Sequence, residues 1–84
     1  MIKVKNKELL KALGERIREL RKQNKLTQEE LSYKSDLMLS QIGRIERGET
    51  NPTISTLHVI ADAIDVTLPE LVNVQPEKKA TGKK

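Results

Sequence analysis

Apolar residues return every three or four positions along the first third of the chain. Four of them share one face of a helix with 3.6 residues per turn; they are Leu10, Leu13, Ile17 and Leu20. Charged residues occupy most of the other positions. The pattern predicts a helix from about Lys7 to Gln23, with Leu26 returning to the core after it.

The next segment carries a signal for a helix start. Thr27 is followed three residues later by Glu30, and in such a capping box each side chain satisfies the other residue's backbone N–H. This predicts a short helix over residues 28–34 that buries Leu31. Ser35 and Asp36 follow, and we expect Asp36 to approach a left-handed conformation, which Asp tolerates better than most residues.

A third helix is predicted from about Met38 to Arg47. Ile42 and Ile45 would face inward, and Gly48 would end the helix.

Two further helices complete the pattern. Thr53 would cap a helix over residues 54–64, whose buried stripe is Leu57, Ile60, Ala61 and Ile64. A second capping box, Thr67 with Glu70, predicts a last short helix through Val72. Residues 73–84 are polar and aperiodic and are expected to form a flexible basic tail. No segment alternates as a strand does, so the prediction is an all-α fold.

Composition narrows the class of protein. Eighty-four residues make one small domain, and there is no cysteine for disulfides or thiolate metal sites. No apolar run is long enough to cross a membrane, and no signal peptide is recognisable, so we expect a cytoplasmic protein without a membrane partner.

His58 is the only histidine, so no metal site is predicted. No nucleophile–base pair, carboxylate dyad or phosphate-binding Gly loop is present, so neither an enzyme nor a cofactor is predicted.

The net charge of +4 is unevenly distributed. Residues 1–25 carry +6, residues 26–72 carry −5 and the tail carries +3. Basic composition is therefore weak support for nucleic-acid binding by the central segment. Tyr33 is the only aromatic residue, which excludes the stacking surfaces that bind single strands.

The second and third helices are joined by only Ser35, Asp36 and Leu37. Two short helices joined in this way form a helix-turn-helix when they cross at a large angle. The start of the second of them has few charges and contains small residues, so it could approach the floor of a DNA major groove closely.

The run TQEELSYKSDLMLSQIGRIERGETNPTISTLHVIADAIDVTLPEL resembles the phage-repressor and Cro class of DNA-binding domains, also called XRE-like. The resemblance covers residues 12–72. It implies a compact five-helix, lambda-repressor-like domain over residues 7–72, with the helix-turn-helix at about 28–47.

The resemblance also implies roles for individual residues. Those expected to contact base edges are Leu39, Ser40, Gly43 and Arg44. Those expected to approach DNA phosphates are Gln28, Met38, Gln41, Arg47, Thr50 and Asn51. Arg21 and Glu46 match a partly buried ion pair between the first and third helices.

Physical chemistry ranks the base contacts. The guanidinium of Arg44 can bond guanine O6 and N7 together, which is worth about 1–3 kcal/mol of discrimination. Ser40 can bond a base edge or a phosphate and is expected to discriminate bases less than Arg44. Leu39 could only contact a thymine methyl group. Leu39 departs from relatives with a polar residue there, and Asp36 departs from the usual glycine.

The functional prediction is a transcriptional regulator that binds double-stranded DNA, at a pseudo-palindromic site, as a homodimer. Candidate dimer residues are Val66, Leu68, Leu71, Val72 and Val74. The alternative is an antitoxin or an adaptor that binds a protein partner. Simpler interpretations also stay open: Arg44 and Arg47 as solvated charges near a helix end, Glu46 as an exposed residue, and the basic first helix and the tail lysines as solvated surfaces.

Overall fold

The computed structural model describes residues 6–75, which form five α-helices and contain no strand. The helices are α1 (Lys7–Gln23), α2 (Gln28–Ser35), α3 (Leu39–Glu46), α4 (Ile54–Ile64) and α5 (Leu68–Leu71). The predicted all-α, five-helix class is confirmed. Residues 76–84 of the predicted tail lie outside the described residues. Among the five helices, none combines the length and apolar character needed to cross a bilayer.

Side-chain caps fix four of the five helix starts. Both predicted capping boxes are present, at Thr27 with Glu30 and at Thr67 with Glu70. Thr53 accepts a hydrogen bond from the backbone N–H of Thr56 at the start of α4, and Asn6 caps α1. Each bond satisfies a donor that the first turn of a helix leaves unpaired. Only α3 begins without a side-chain cap.

The predicted helix ends need small corrections. α2 extends one residue further, to Ser35, and α5 ends at Leu71 instead of Val72. α3 is shorter than predicted at both ends, because Met38 and Arg47 are its flanking cap residues. Met38 is extended, with φ −68° and ψ 143°, so it cannot belong to the helix.

A left-handed residue follows each of the two central helices, as predicted for Asp36, and Gly48 follows the end of α3 as predicted. Asp36 has φ 63° at the C-terminal end of α2, and Gly48 has φ 74° just after α3. At Gly48 a second constraint acts, because an added Cβ would lie 2.9 Å from the Cα of Lys11 in α1. The turn that ends α3 is therefore pressed against the first helix.

The core lies where the helix faces meet. α1 packs on α3 and α5, α2 packs on α3 and α4, and α4 packs on α5. The largest side chains with almost no solvent exposure are Ile17, Leu31, Ile42, Ile60, Ile64 and Leu71. Burial of Leu71 corrects the sequence-based proposal that it belongs to a dimer surface, since its side chain is used inside its own fold.

α1 and α3 cross at a distance that only glycine permits. A Cβ added to Gly14 would lie 2.5 Å from the carbonyl oxygen of Ile45 and 2.8 Å from the carbonyl carbon of Glu46, and would collide with the carbonyl oxygen of Glu46. These atoms are backbone and cannot rotate away. Gly14 thus sets how closely the last turn of α3 approaches α1.

Candidate nucleic-acid interface

One face of α3 projects its side chains away from the core. Leu39, Ser40 and Arg44 are exposed, and Met38, just before the helix, is 70% exposed. Ile42 and Ile45, on the opposite face, are buried. The predicted amphipathic arrangement of this helix is therefore present.

A shallow depression of about 370 Å³ lies between α3 and the loop that follows it. Its lining includes most of the residues predicted to contact DNA: Met38, Ser40, Gln41, Arg44, Thr50 and Asn51. Two elements separated in sequence thus present these side chains on one continuous surface.

The C-terminal half of α3 is held by a buried network. Arg21 in α1 donates from Nε to Oε2 of Glu46 at 2.7 Å and from Nη2 to Oε1 at 3.0 Å. Arg21 also donates from Nη1 to the carbonyl oxygen of Leu26 at 2.9 Å. The side chains of Arg21 and Glu46 are only 9% and 3% exposed, so this bidentate pair is shielded from the solvent that weakens surface ion pairs.

Gln28 joins the same network, which the sequence did not indicate. Its side-chain Nε2 donates to Oε1 of Glu46 at 3.0 Å, so Glu46 ties α3 to both α1 and α2. An amide nitrogen carries two N–H groups, and one of them remains to donate to a phosphate. No spacing rule reveals this bond, because it joins residues 18 positions apart.

Arg47 lies at the other side of the site and is paired with Glu49. Its Nε donates to Oε2 of Glu49 at 2.8 Å and its Nη2 donates to Oε1 at 3.2 Å. The hydrogen bond to Arg47 lowers the pKa of the Glu49 carboxyl below its usual range, and the same bond raises the pKa of Arg47. Both groups are fully charged near neutral pH, and both are exposed to solvent.

Gly43 is not open to solvent, contrary to the outward placement that the sequence suggested. It is buried, and an added Cβ would lie 2.9 Å from Nη1 of Arg47. The Arg47 side chain therefore folds back over Gly43. A base could reach the Gly43 backbone only after this side chain moved.

Arg44 differs from the other two arginines of this region. It makes no hydrogen bond or ion pair to another residue within the range 6–75 through its side chain, whereas Arg21 and Arg47 are each bonded to a carboxylate. An exposed guanidinium with all its donors available has the geometry to bond two acceptors of one base.

The arrangement as a whole suits contact with a duplex. An α-helix fits the major groove of B-DNA, and in helix-turn-helix proteins the second helix places its N-terminal residues on base edges. α3 presents that end free of acidic side chains, and its only carboxylate, Glu46, is buried in the network with Arg21.

Comparison with known proteins identifies the family. The helix-turn-helix model HTH_3 matches residues 17–71. The control protein C.SmaI of Serratia marcescens is 40% identical over 70 residues, which are 83% of each chain. The immunity repressor protein of Bacillus phage phi105 is 40% identical over 60 residues, 71% of this chain but 42% of the repressor.

A solved structure agrees with these matches. The restriction-modification controller protein C.AhdI from Aeromonas hydrophila superimposes with a TM-score of 0.71 and 39% sequence identity, over 76% of this chain and 96% of that one. Proteins of this family act by binding DNA and are not enzymes. The chain therefore belongs to the helix-turn-helix family of phage-repressor and Cro type, also called XRE-like, and is a DNA-binding transcriptional regulator.

Proposed function

We propose that the protein binds one specific sequence of double-stranded DNA by inserting α3 into the major groove. The observation that carries this proposal is the free, exposed guanidinium of Arg44 near Ser40, on the outer face of a helix whose last residue, Glu46, is held on the inner face by Arg21. A helix held by a buried ion pair, with a free bidentate donor on its exposed face, is suited to discriminate bases.

The roles proposed for the surrounding residues follow from their positions. Leu39, Ser40 and Arg44 would face base edges. Gly43 would lie close to the duplex only through its backbone, after movement of Arg47. Phosphate contacts would come from the residues at the rim of the site, which are Gln28, Met38, Gln41, Arg47, Thr50 and Asn51.

We also propose that two copies bind a pseudo-palindromic site. One helix-turn-helix reads only a few base pairs, and pairing about a two-fold axis is the usual way to gain affinity and specificity. Near α5, Val72 is 38% exposed and Val74 is half-buried, and these side chains would supply the apolar contact together with the outer parts of Val66 and Leu68, which pack partly against the core.

The regulatory role is proposed to be that of a restriction-modification controller protein. C.AhdI is a restriction-modification controller protein and C.SmaI is a control protein. Both are matched over most of their own length at about 40% identity. The phage immunity repressor is matched over less than half of its length. The controllers are therefore the better guide to the function of this chain.

Base reading by Arg44 can be tested by selection of binding sites from random duplex DNA. We expect Arg44→Ala to lose discrimination at one base pair of each half-site, by about 1–3 kcal/mol. Asn51→Ala is the matched control, because Asn51 is an exposed proposed phosphate contact outside the Glu46 network, and its loss should weaken all sequences alike. An unchanged base preference in Arg44→Ala would refute this assignment. Measuring the mass of the complex gives the number of chains per site.

The Arg47–Glu49 pair leads to a separate prediction. We expect Glu49→Gln to raise affinity for duplexes of any sequence a few-fold at low salt, because it frees Arg47 and removes a negative charge near the phosphates. Binding measured by fluorescence anisotropy against salt concentration checks this. If affinity falls instead, then Glu49 holds Arg47 in its binding position and does not compete with DNA.

A further inference from the structure

The proposed DNA-binding segment lacks the charge that DNA binding needs. Residues 26–72 carry three basic residues against eight acids, a net charge of −5. Neutralisation of phosphates by Lys and Arg supplies most of the sequence-independent affinity of DNA-binding proteins. A basic surface that adjoins the helix-turn-helix from elsewhere in the fold would supply such charge.

α1 carries such a surface along one side. Four of its exposed basic residues fall within roughly 60° of one another at 100° per residue; they are Lys7, Lys11, Arg18 and Lys22. No acid of α1 lies among them, since Glu8, Glu15 and Glu19 follow on the neighbouring side. Within residues 6–75 the ion pairs involve other arginines, and these four cations take part in none.

This basic stripe borders the proposed DNA interface at one end. Lys7 and Lys11 line a groove of about 380 Å³ together with Arg47, Gly48 and Glu49. The close approach of Gly48 to the Cα of Lys11 fixes the two elements side by side. The groove also contains one acid, Glu49, but its carboxylate is bonded to Arg47. Because Arg47 and Glu49 cancel each other, the net positive charge of this groove comes from Lys7 and Lys11, directly beside the end of α3.

We propose that Lys7 and Lys11 bind backbone phosphates of the same duplex that α3 reads, next to the phosphate contacted by Arg47. This inference rests on the proposed function. It extends the interface beyond the helix-turn-helix to α1 and accounts for how a net acidic segment can hold DNA. The occupant is the duplex because the groove is continuous with α3 and Arg47, the elements proposed to touch it.

The other interpretation is that these lysines only stabilise the fold. The carbonyl end of α3 lies beside α1, and a cation there is favourable. The two interpretations differ in their effect on DNA, because a lysine that contacts a phosphate releases a counterion on binding and a stabilising lysine does not.

The experiment compares the full chain with Lys7→Gln/Lys11→Gln, and with Lys34→Gln as a control for lost charge. Lys34 lines a separate groove with Glu30 and Tyr33. Affinity is measured against salt for a mixed-sequence duplex and for the duplex selected by the wild-type protein. The slope of log K against log salt should fall by about 1.8 in the double variant, about 0.9 for each lost phosphate. Both duplexes should lose affinity by the same factor.

The location of the phosphates proposed to bind Lys7 and Lys11 is tested by ethylating single phosphates of the selected duplex. Ethylation beyond the recognised bases should impair wild-type binding and have no effect on the double variant, while phosphates near Gln28 should remain sensitive in both. An unchanged salt slope with an unchanged thermal midpoint would overturn the proposal, as would a slope equal to that of Lys34→Gln. A lowered midpoint with an unchanged slope would assign the lysines to stability. If the wild-type protein prefers no duplex, the proposed function itself fails, whatever the lysine variants do.

Discussion

Replacing Glu46 with alanine is expected to lower the free energy of unfolding by about 3–5 kcal/mol, the usual cost of leaving one partner of a buried ion pair uncompensated. Three bonds end on this carboxylate, two from Arg21 and one from Gln28. The variant would leave the guanidinium of Arg21 buried with only the carbonyl oxygen of Leu26 as a partner. Urea unfolding followed by circular dichroism measures the loss.

Two control variants distinguish the effect of breaking the buried Arg21–Glu46 pair from the effect of removing any negative charge. Glu49→Ala removes the same charge from an exposed pair and should leave unfolding unchanged. The double variant Arg21→Met/Glu46→Leu removes both charges and should be more stable than Glu46→Ala alone, because no unpaired ion remains. If Glu46→Ala unfolds like wild type, the network does not hold α3 in solution.

Gly14→Ala should destabilise the fold by about 1–3 kcal/mol or more, the range for overfilling a packed interface. Elsewhere in a helix the same change usually stabilises by roughly 0.5–1 kcal/mol, because alanine loses less backbone freedom. Here the new methyl group would collide with the carbonyl groups of Ile45 and Glu46. α1 and α3 would have to separate, which would also stretch the Arg21–Glu46 bonds. Thermal unfolding and DNA affinity should both decline.

Gly43→Ala is the matched comparison. At Gly43 the nearest obstacle is the guanidinium end of Arg47, which is exposed and can swing aside. The gain in helix propensity then decides the result, and the variant should be as stable as wild type or slightly more stable. If both glycine variants behave alike, the close crossing at Gly14 does not constrain the protein in solution.

Local sequence signals were enough to predict most of the fold. The capping boxes at Thr27 and Thr67, the left-handed Asp36 and the helix end at Gly48 depend on neighbours within a few residues, and each is present in the structure. The helix-turn-helix and its exposed residues followed from periodicity and from the family resemblance.

Most of what the sequence did not reveal depends on contacts between residues far apart in the chain. Gln28 donates to Glu46, and Gly14 admits the end of α3, because three helices meet at one point. Burial of Leu71 depends on the approach of α5 to α1 and α4. Arg47 folds over Gly43 through a bond to Glu49 in a loop, where no periodic pattern exists to predict it.

The two halves of α3 are supported very differently. The end near Glu46 is anchored by Gly14, Arg21 and Gln28, whereas the beginning has no side-chain cap and its outer residues touch little of the fold. The side chains of residues 39, 40 and 44 are exposed, so exchanging them for those of a relative should change the proposed DNA preference with little effect on the free energy of unfolding. Such a division lets recognition diversify while the scaffold stays unchanged.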